Sequence, residues 1–80
     1  MITPAQCRAA RALLDWSQQD LAKAAHLGLS TIRDFEKGRR VPTHNNLRGI
    51  KLALEEGGVE VGAEKSSVAL IRERQRRLKP

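Results

Sequence analysis

The sequence is poor in the residues that staple, anchor or catalyse. It has a single cysteine, Cys7, which excludes an internal disulfide and a cysteine metal cluster. No apolar run approaches the roughly 20 residues of a membrane span, so no membrane-spanning segment is expected. The opening "MITPAQCRAA" lacks the basic-then-apolar layout of a secretion signal, and a bacterial cytoplasmic protein is the natural expectation. The two histidines, His26 and His44, stand far apart, without a Cys, His or carboxylate constellation suited to zinc. They read as a turn residue and an exposed first-turn residue, and Cys7 reads as core. Nucleophile–base pairings, phosphate loops and acid pairs are missing as well. Neither a cofactor nor a metal nor enzymatic activity is expected. With no internal repeat or low-complexity tract, 80 residues allow one small unit with a modest core.

Positive charge is what the chain has in excess, with a net charge of +6. It is unevenly placed. Residues 33–51 hold six Lys/Arg against two acids, and residues 58–80 hold six against three. Two basic clusters on a small domain point to a polyanion partner.

Local signals divide the chain into helices. Thr3 can cap a first helix running to Leu14, with Pro4 in its first turn and Gln6 at the reciprocal capping position. Cys7, Ala10 and Leu14 share one face of it. Trp16 is expected to plug the gap before a second helix, Gln18 to Ala25, capped by Ser17 with Asp20 in its first turn and Leu21, Ala22 and Ala25 inward. "HLG" is a break. A third helix follows from about Leu29 to Lys37, with Ile32 and Phe35 inward and Gly38 as its stop. Thr43 caps a fourth, reaching about Glu56 on a stripe of Leu47, Ile50 and Leu54, and Gly57-Gly58 ends it. Gly49 inside that helix costs about 1 kcal/mol against alanine, which close packing against another helix explains. Beyond it, "VEV", the turn "GAEKSS" and "VALI" read as a hairpin. Alternatively, Val68, Ile71, Gln75 and Leu78 share one face of a fifth helix from about Glu64 to Lys79.

Leu21, Ala25, Leu27, Ile32 and Phe35 let the second and third helices pack across a short turn, which is the helix-turn-helix pattern. The outward residues of the third helix are Leu29, Ser30, Arg33, Asp34 and Lys37. A DNA reader needs such a polar face, and any surface helix in a plain bundle tolerates it.

The run "SQQDLA", the inward Ile32, "FEKG" and Pro42 before a capped helix together resemble the lambda-repressor-like, or XRE-family, helix-turn-helix domains from about Cys7 to Gly57. His26 and Gly28 depart from the family pattern, which has glycine and a Ser/Thr cap at those positions. The resemblance implies a mainly α bundle of about four helices with a short C-terminal β-hairpin, the fifth helix being the alternative. Residues 1–57 form the DNA-binding part. Residues 58–80 form an extension that dimerises and ends in a basic tail, "RERQRR".

In similar domains the third helix enters the major groove of double-stranded DNA. Leu29, Ser30, Arg33 and Asp34 then meet base edges. Arg33 can pair with a guanine, and Asp34 can accept from a cytosine or form a local pair with Arg33 or Lys37 instead. Ser17, Gln18, Lys37, Arg39, Arg40, Thr43 and Asn45 are the phosphate-contacting set. Related domains also hold an ion pair at the positions of Arg11 and Glu36, which orients the third helix.

The implied function is a sequence-specific transcriptional regulator acting as a homodimer on a twofold operator, as a repressor or autoregulating controller on the nucleoid. An antitoxin that also binds a toxin protein is one alternative. A protein-interaction module that no longer binds DNA is the other, and Arg33, Lys37, Arg39 and Arg40 argue against it.

Overall fold

Two reciprocal capping boxes start the chain. The Thr3 hydroxyl accepts the Gln6 backbone N–H at 3.1 Å while the Gln6 side chain accepts the Thr3 N–H at 3.0 Å. Ser17 and Asp20 repeat the exchange at 3.0 and 2.9 Å. Each box satisfies amide groups that the first turn of a helix leaves unpaired. In the computed structural model, which describes residues 1–62 and 68–70, these caps open α1 (Pro4–Leu14) and α2 (Gln18–Ala25). Then come α3 (Leu29–Glu36), α4 (His44–Gly57), β1 (Val59–Val61) and β2 (Val68–Leu70). The strands pair antiparallel, with Val59 opposite Leu70 and Val61 opposite Val68.

The first three helices end alike. After α1, Asp15 adopts a left-handed conformation with φ 60°, and Trp16 N–H returns to the Arg11 carbonyl. After α2, His26 does the same at φ 59°, and Leu27 N–H returns to the Ala22 carbonyl. Gly38 repeats it after α3 at φ 75°, with Arg39 N–H on the Asp34 carbonyl. This is the Schellman arrangement, which satisfies terminal carbonyls and turns the chain sharply. Asp and His tolerate the left-handed region better than most side chains, so the α2–α3 turn closes at His26 without glycine. Gly28 caps α3 with its backbone alone, with no side-chain hydrogen bond.

The core is built from Cys7 and Ala10 of α1, Leu21 and Ala22 of α2, Ile32 and Phe35 of α3, Leu47, Ile50, Ala53 and Leu54 of α4, and Val59 and Val61 of β1. α1 packs on α3, α4 and both strands, and α2 packs on α3 and α4. Ile2 is also buried. It precedes the Thr3 cap, with Cys7 at the fourth helical position, the placement of a hydrophobic staple. Gln6 is buried too, and its amide donates to the Gly62 carbonyl at 3.1 Å, tying the start of α1 to the end of β1.

Four expectations change. Val68–Leu70 is a strand, so a helix running through it is overturned; the rest of that alternative, the turn over 63–67 and the basic tail lie outside the described residues. α3 ends at Glu36, with Lys37 as its cap. Gly49 faces open space rather than a packed helix, since a Cβ there would meet no atom within 4 Å. The tight glycine is Gly57, whose Cβ would lie 2.8 Å from the Trp16 ring. Trp16 therefore covers the end of α4 rather than only filling the gap between α1 and α2.

These two glycines give opposite expectations. Gly49→Ala should raise stability by about 0.5–1 kcal/mol, because alanine fits an open helical site and restricts the unfolded chain. Gly57→Ala should lower it by about 1–3 kcal/mol, because the Trp16 indole must move. Urea denaturation of both variants checks the contrast.

Candidate nucleic-acid interface

Glu36, the last residue of α3, is buried among polar partners. Arg11 of α1 holds its carboxylate with a two-pronged contact, Nε to Oε2 at 2.7 Å and Nη2 to Oε1 at 2.8 Å. Such paired bonds fix orientation as well as distance. The Gln18 side-chain amide donates to Oε1 at 3.0 Å, and the Cys7 thiol donates to Oε2 at 3.1 Å. Arg8 donates to the Glu36 backbone carbonyl. Arg11 also donates to the Trp16 carbonyl at 3.0 Å, binding the α1–α2 turn into the same cluster. α1 and the start of α2 thus grip the C-terminal end of α3 from several directions.

The cluster sets the protonation of its members. Burial pushes the Glu36 carboxyl up, but the hydrogen bonds from Arg11, Gln18 and Cys7 outweigh it and hold the group below its ordinary 4.5. The hydrogen bond to Glu36 holds the Arg11 guanidinium above its ordinary value. Burial, then the bond to Glu36, pushes the Cys7 thiol up, so it stays protonated and acts as a donor. On the surface, the Ser17 backbone N–H holds the Asp20 carboxyl below its usual value.

Gripped at its end, α3 presents its outer side. Ser30 and Arg33 are exposed, and Leu29 and Asp34 are half-buried beside them. Among the described residues the ion pairs are Arg11–Glu36 and Lys51–Glu55, so Asp34 is paired with neither Arg33 nor Lys37. Lys37, Arg39 and Arg40 follow, all exposed around the Gly38 turn. Ser17 is exposed, with its hydroxyl engaged in capping, and Gln18 is drawn to the end of α3 through Glu36. Thr43 caps α4 through the Asn46 N–H at 3.2 Å, and Asn45 is exposed in the first turn of that helix.

A helix-turn-helix family model matches residues 8–56. The chain belongs to the lambda-repressor-like helix-turn-helix family. No curated protein matches it. Members of this family are DNA-binding regulators in general, and α2–α3 is the unit that gives them their name. Among the described residues no helix is long and apolar enough to cross a membrane.

In this helix-turn-helix domain the Arg11–Glu36 pair occurs as the resemblance implies. Sequence reasoning missed the roles of Cys7 and Arg8. Cys7 and Arg11 are one helical turn apart on α1 and so share a face, but a thiol donor to a carboxylate carries no signal separate from that of a core cysteine. Arg8 looks like any exposed arginine until the fold brings the end of α3 beside it.

Removing one partner exposes the dependence. Arg11→Ala should cost about 3 kcal/mol, the lower end of the range for a broken buried pair, because Gln18 and Cys7 still donate to the carboxylate. Because Glu36 has a lower value folded than unfolded, its contribution is complete above pH 4.5 and is lost as pH falls from there through the folded value. Urea titrations between pH 7 and pH 3 should show this loss in the parent protein and a flatter profile in Glu36→Gln. Matching profiles would remove Glu36 as the acid-sensitive group.

Proposed function

We propose that the chain is a sequence-specific transcriptional regulator that binds double-stranded DNA as a homodimer on a twofold-symmetric site. The observation that carries the reading is the gripped α3 helix, its polar outer side exposed and continued by the exposed cations Lys37, Arg39 and Arg40. Leu29, Ser30, Arg33 and Asp34 are assigned to base edges in the major groove. Arg33 matches the two acceptors of guanine, and Leu29 matches a thymine methyl. Ser17, Gln18, Lys37, Arg39, Arg40, Thr43 and Asn45 are assigned to phosphates, which position the domain and set its salt dependence without choosing sequence. Gln18 gives one amide hydrogen to Glu36 and has a second for a phosphate oxygen.

Residues 1–57 are the DNA-binding unit in this reading, and residues 58–80 extend it, with β1 closing the same core. One such domain makes a small interface with DNA; two on a twofold site one helical turn apart reach useful affinity. Repression by blocking polymerase is the simplest output, and autoregulation fits a regulator of this size.

Selection from a random duplex pool, followed by anisotropy titration of the enriched site across a salt series, tests the proposal. A twofold-symmetric consensus is expected. Arg33→Ala should weaken binding to that site by about 1–3 kcal/mol and relax preference at one position of each half-site. Arg39→Ala should weaken all sequences alike and reduce the salt slope by about one. Equal, steeply salt-dependent binding to every duplex would sink the sequence-specific reading.

A further inference from the structure

α4 has a side that the core leaves uncovered. Leu47, Ile50, Ala53 and Leu54 turn inward, while Asn45, Arg48, Leu52 and Glu56 are exposed opposite them, and Leu52 keeps 56% of its surface in solvent. Gly49 lies among the exposed residues with open space where a side chain would be. The result is an open groove of about 450 Å³, lined by Asn45, Arg48, Gly49, Lys51, Leu52 and Glu55. Those residues have the spacing of two adjoining holes in knobs-into-holes packing. Asn45, Arg48, Gly49 and Leu52 make one, and Arg48, Lys51, Leu52 and Glu55 make the next.

We propose that this groove receives the same α4 face of a second copy of this chain, with the two helices antiparallel and Leu52 of each copy as the knob. Charge identifies the occupant and its direction. Arg48 lies toward the N-terminal end of the groove, and Glu55 and Glu56 lie toward the C-terminal end. In antiparallel pairing each Arg48 meets Glu55 of the other copy, once on either side of the centre. Arg48 and Glu55 are symmetric about the Lys51–Leu52 peptide, so the register that forms both ion pairs also brings the two Leu52 side chains to the centre. Parallel pairing would set Arg48 on Arg48 and Glu55 on Glu55, which repel. Lys51 Nζ, 3.9 Å from the Glu55 carboxylate, flanks the pair on its own helix. Gly49 leaves room for the incoming Leu52.

Such a face is self-complementary, as a twofold contact requires, and it lies outside α2–α3. One helix pair buries little surface, so the dimer is concentration-dependent and is reinforced when both copies share one DNA site. The inference rests on the homodimer reading above and names its surface.

Sedimentation equilibrium of the full chain over a concentration series tests it, with thermal unfolding by circular dichroism to verify that each variant folds. Arg48→Glu and Glu55→Arg should each raise the dimer dissociation constant about tenfold, because each sets like charges against each other. The double variant R48E/E55R should return it to within about threefold of the parent, because the exchanged charges pair again. Leu52→Lys puts two cations at the centre and should also raise the constant, whatever the flanking pairs do. Parent-like association of the two single variants and Leu52→Lys would overturn the α4 surface and leave the homodimer intact, held elsewhere, with the C-terminal extension next in line. Failure of the double variant to recover would overturn the antiparallel register. A parent chain that stays monomeric both free and on its selected duplex would remove the homodimer reading itself, and this surface with it.

Discussion

The buried carboxylate of Glu36 is the constraint on which the arrangement of helices depends. A charge removed from water is unfavourable unless hydrogen bonds and a counter-charge replace its hydration. Here Arg11, Gln18 and Cys7 supply them from α1 and α2. The demand is directional. The two bonds from Arg11 fit a planar fork meeting a planar carboxylate, and lysine at that position could not make both. Such a pair adds modestly to net stability, because desolvation offsets most of its attraction. Its larger effect is geometric. It fixes the end of α3 against α1, and it brings the first residue of α2, Gln18, to the helix assigned to read DNA.

Helix endings do the complementary work. α1, α2 and α3 each finish in a left-handed residue that returns the next amide to the preceding turn. The turn between α2 and α3 is therefore set by backbone hydrogen bonds at His26 and Leu27. Gly28 then starts α3 without a side-chain cap. A short helix capped only by backbone is weakly held at its start. The grip at Glu36 holds the other end, and burial of Ile32 and Phe35 holds the middle. Orientation of α3 is thus a tertiary property more than a local one.

The chain after α4 completes rather than decorates this unit. A domain of this length has little apolar surface to bury, and Val59 and Val61 contribute to the same core as the four helices. Gln6 caps α1 and bonds to Gly62 in one stroke, joining the first helix to the first strand. With the core closed on its inner side, α4 keeps its outer side, where Leu52 and the opposed charges of Arg48 and Glu55 remain available for a partner.

Local signals were legible wherever one residue type serves one purpose. Thr3 with Gln6, Ser17 with Asp20, Gly38 and Thr43 marked helix ends correctly because caps act over a few neighbouring residues. The inward positions followed from helical period, and the Arg11–Glu36 pair followed from resemblance. Gly49 and Gly57 could not be ranked this way, since what a glycine faces depends on which helix crosses it. Periodicity alone also left hairpin and fifth helix open after Gly58, because short apolar runs fit both. The sequence by itself determined where helices begin and end, which side of each is apolar, and that the excess charge is positive. Tertiary structure alone decided that Trp16 covers Gly57, that Cys7 and Arg8 join Arg11 at the end of α3, and that Gly49 opens a groove. The reason is range. Caps and periods are read over a turn or two of chain, while a buried carboxylate finds its partners only after distant segments have met.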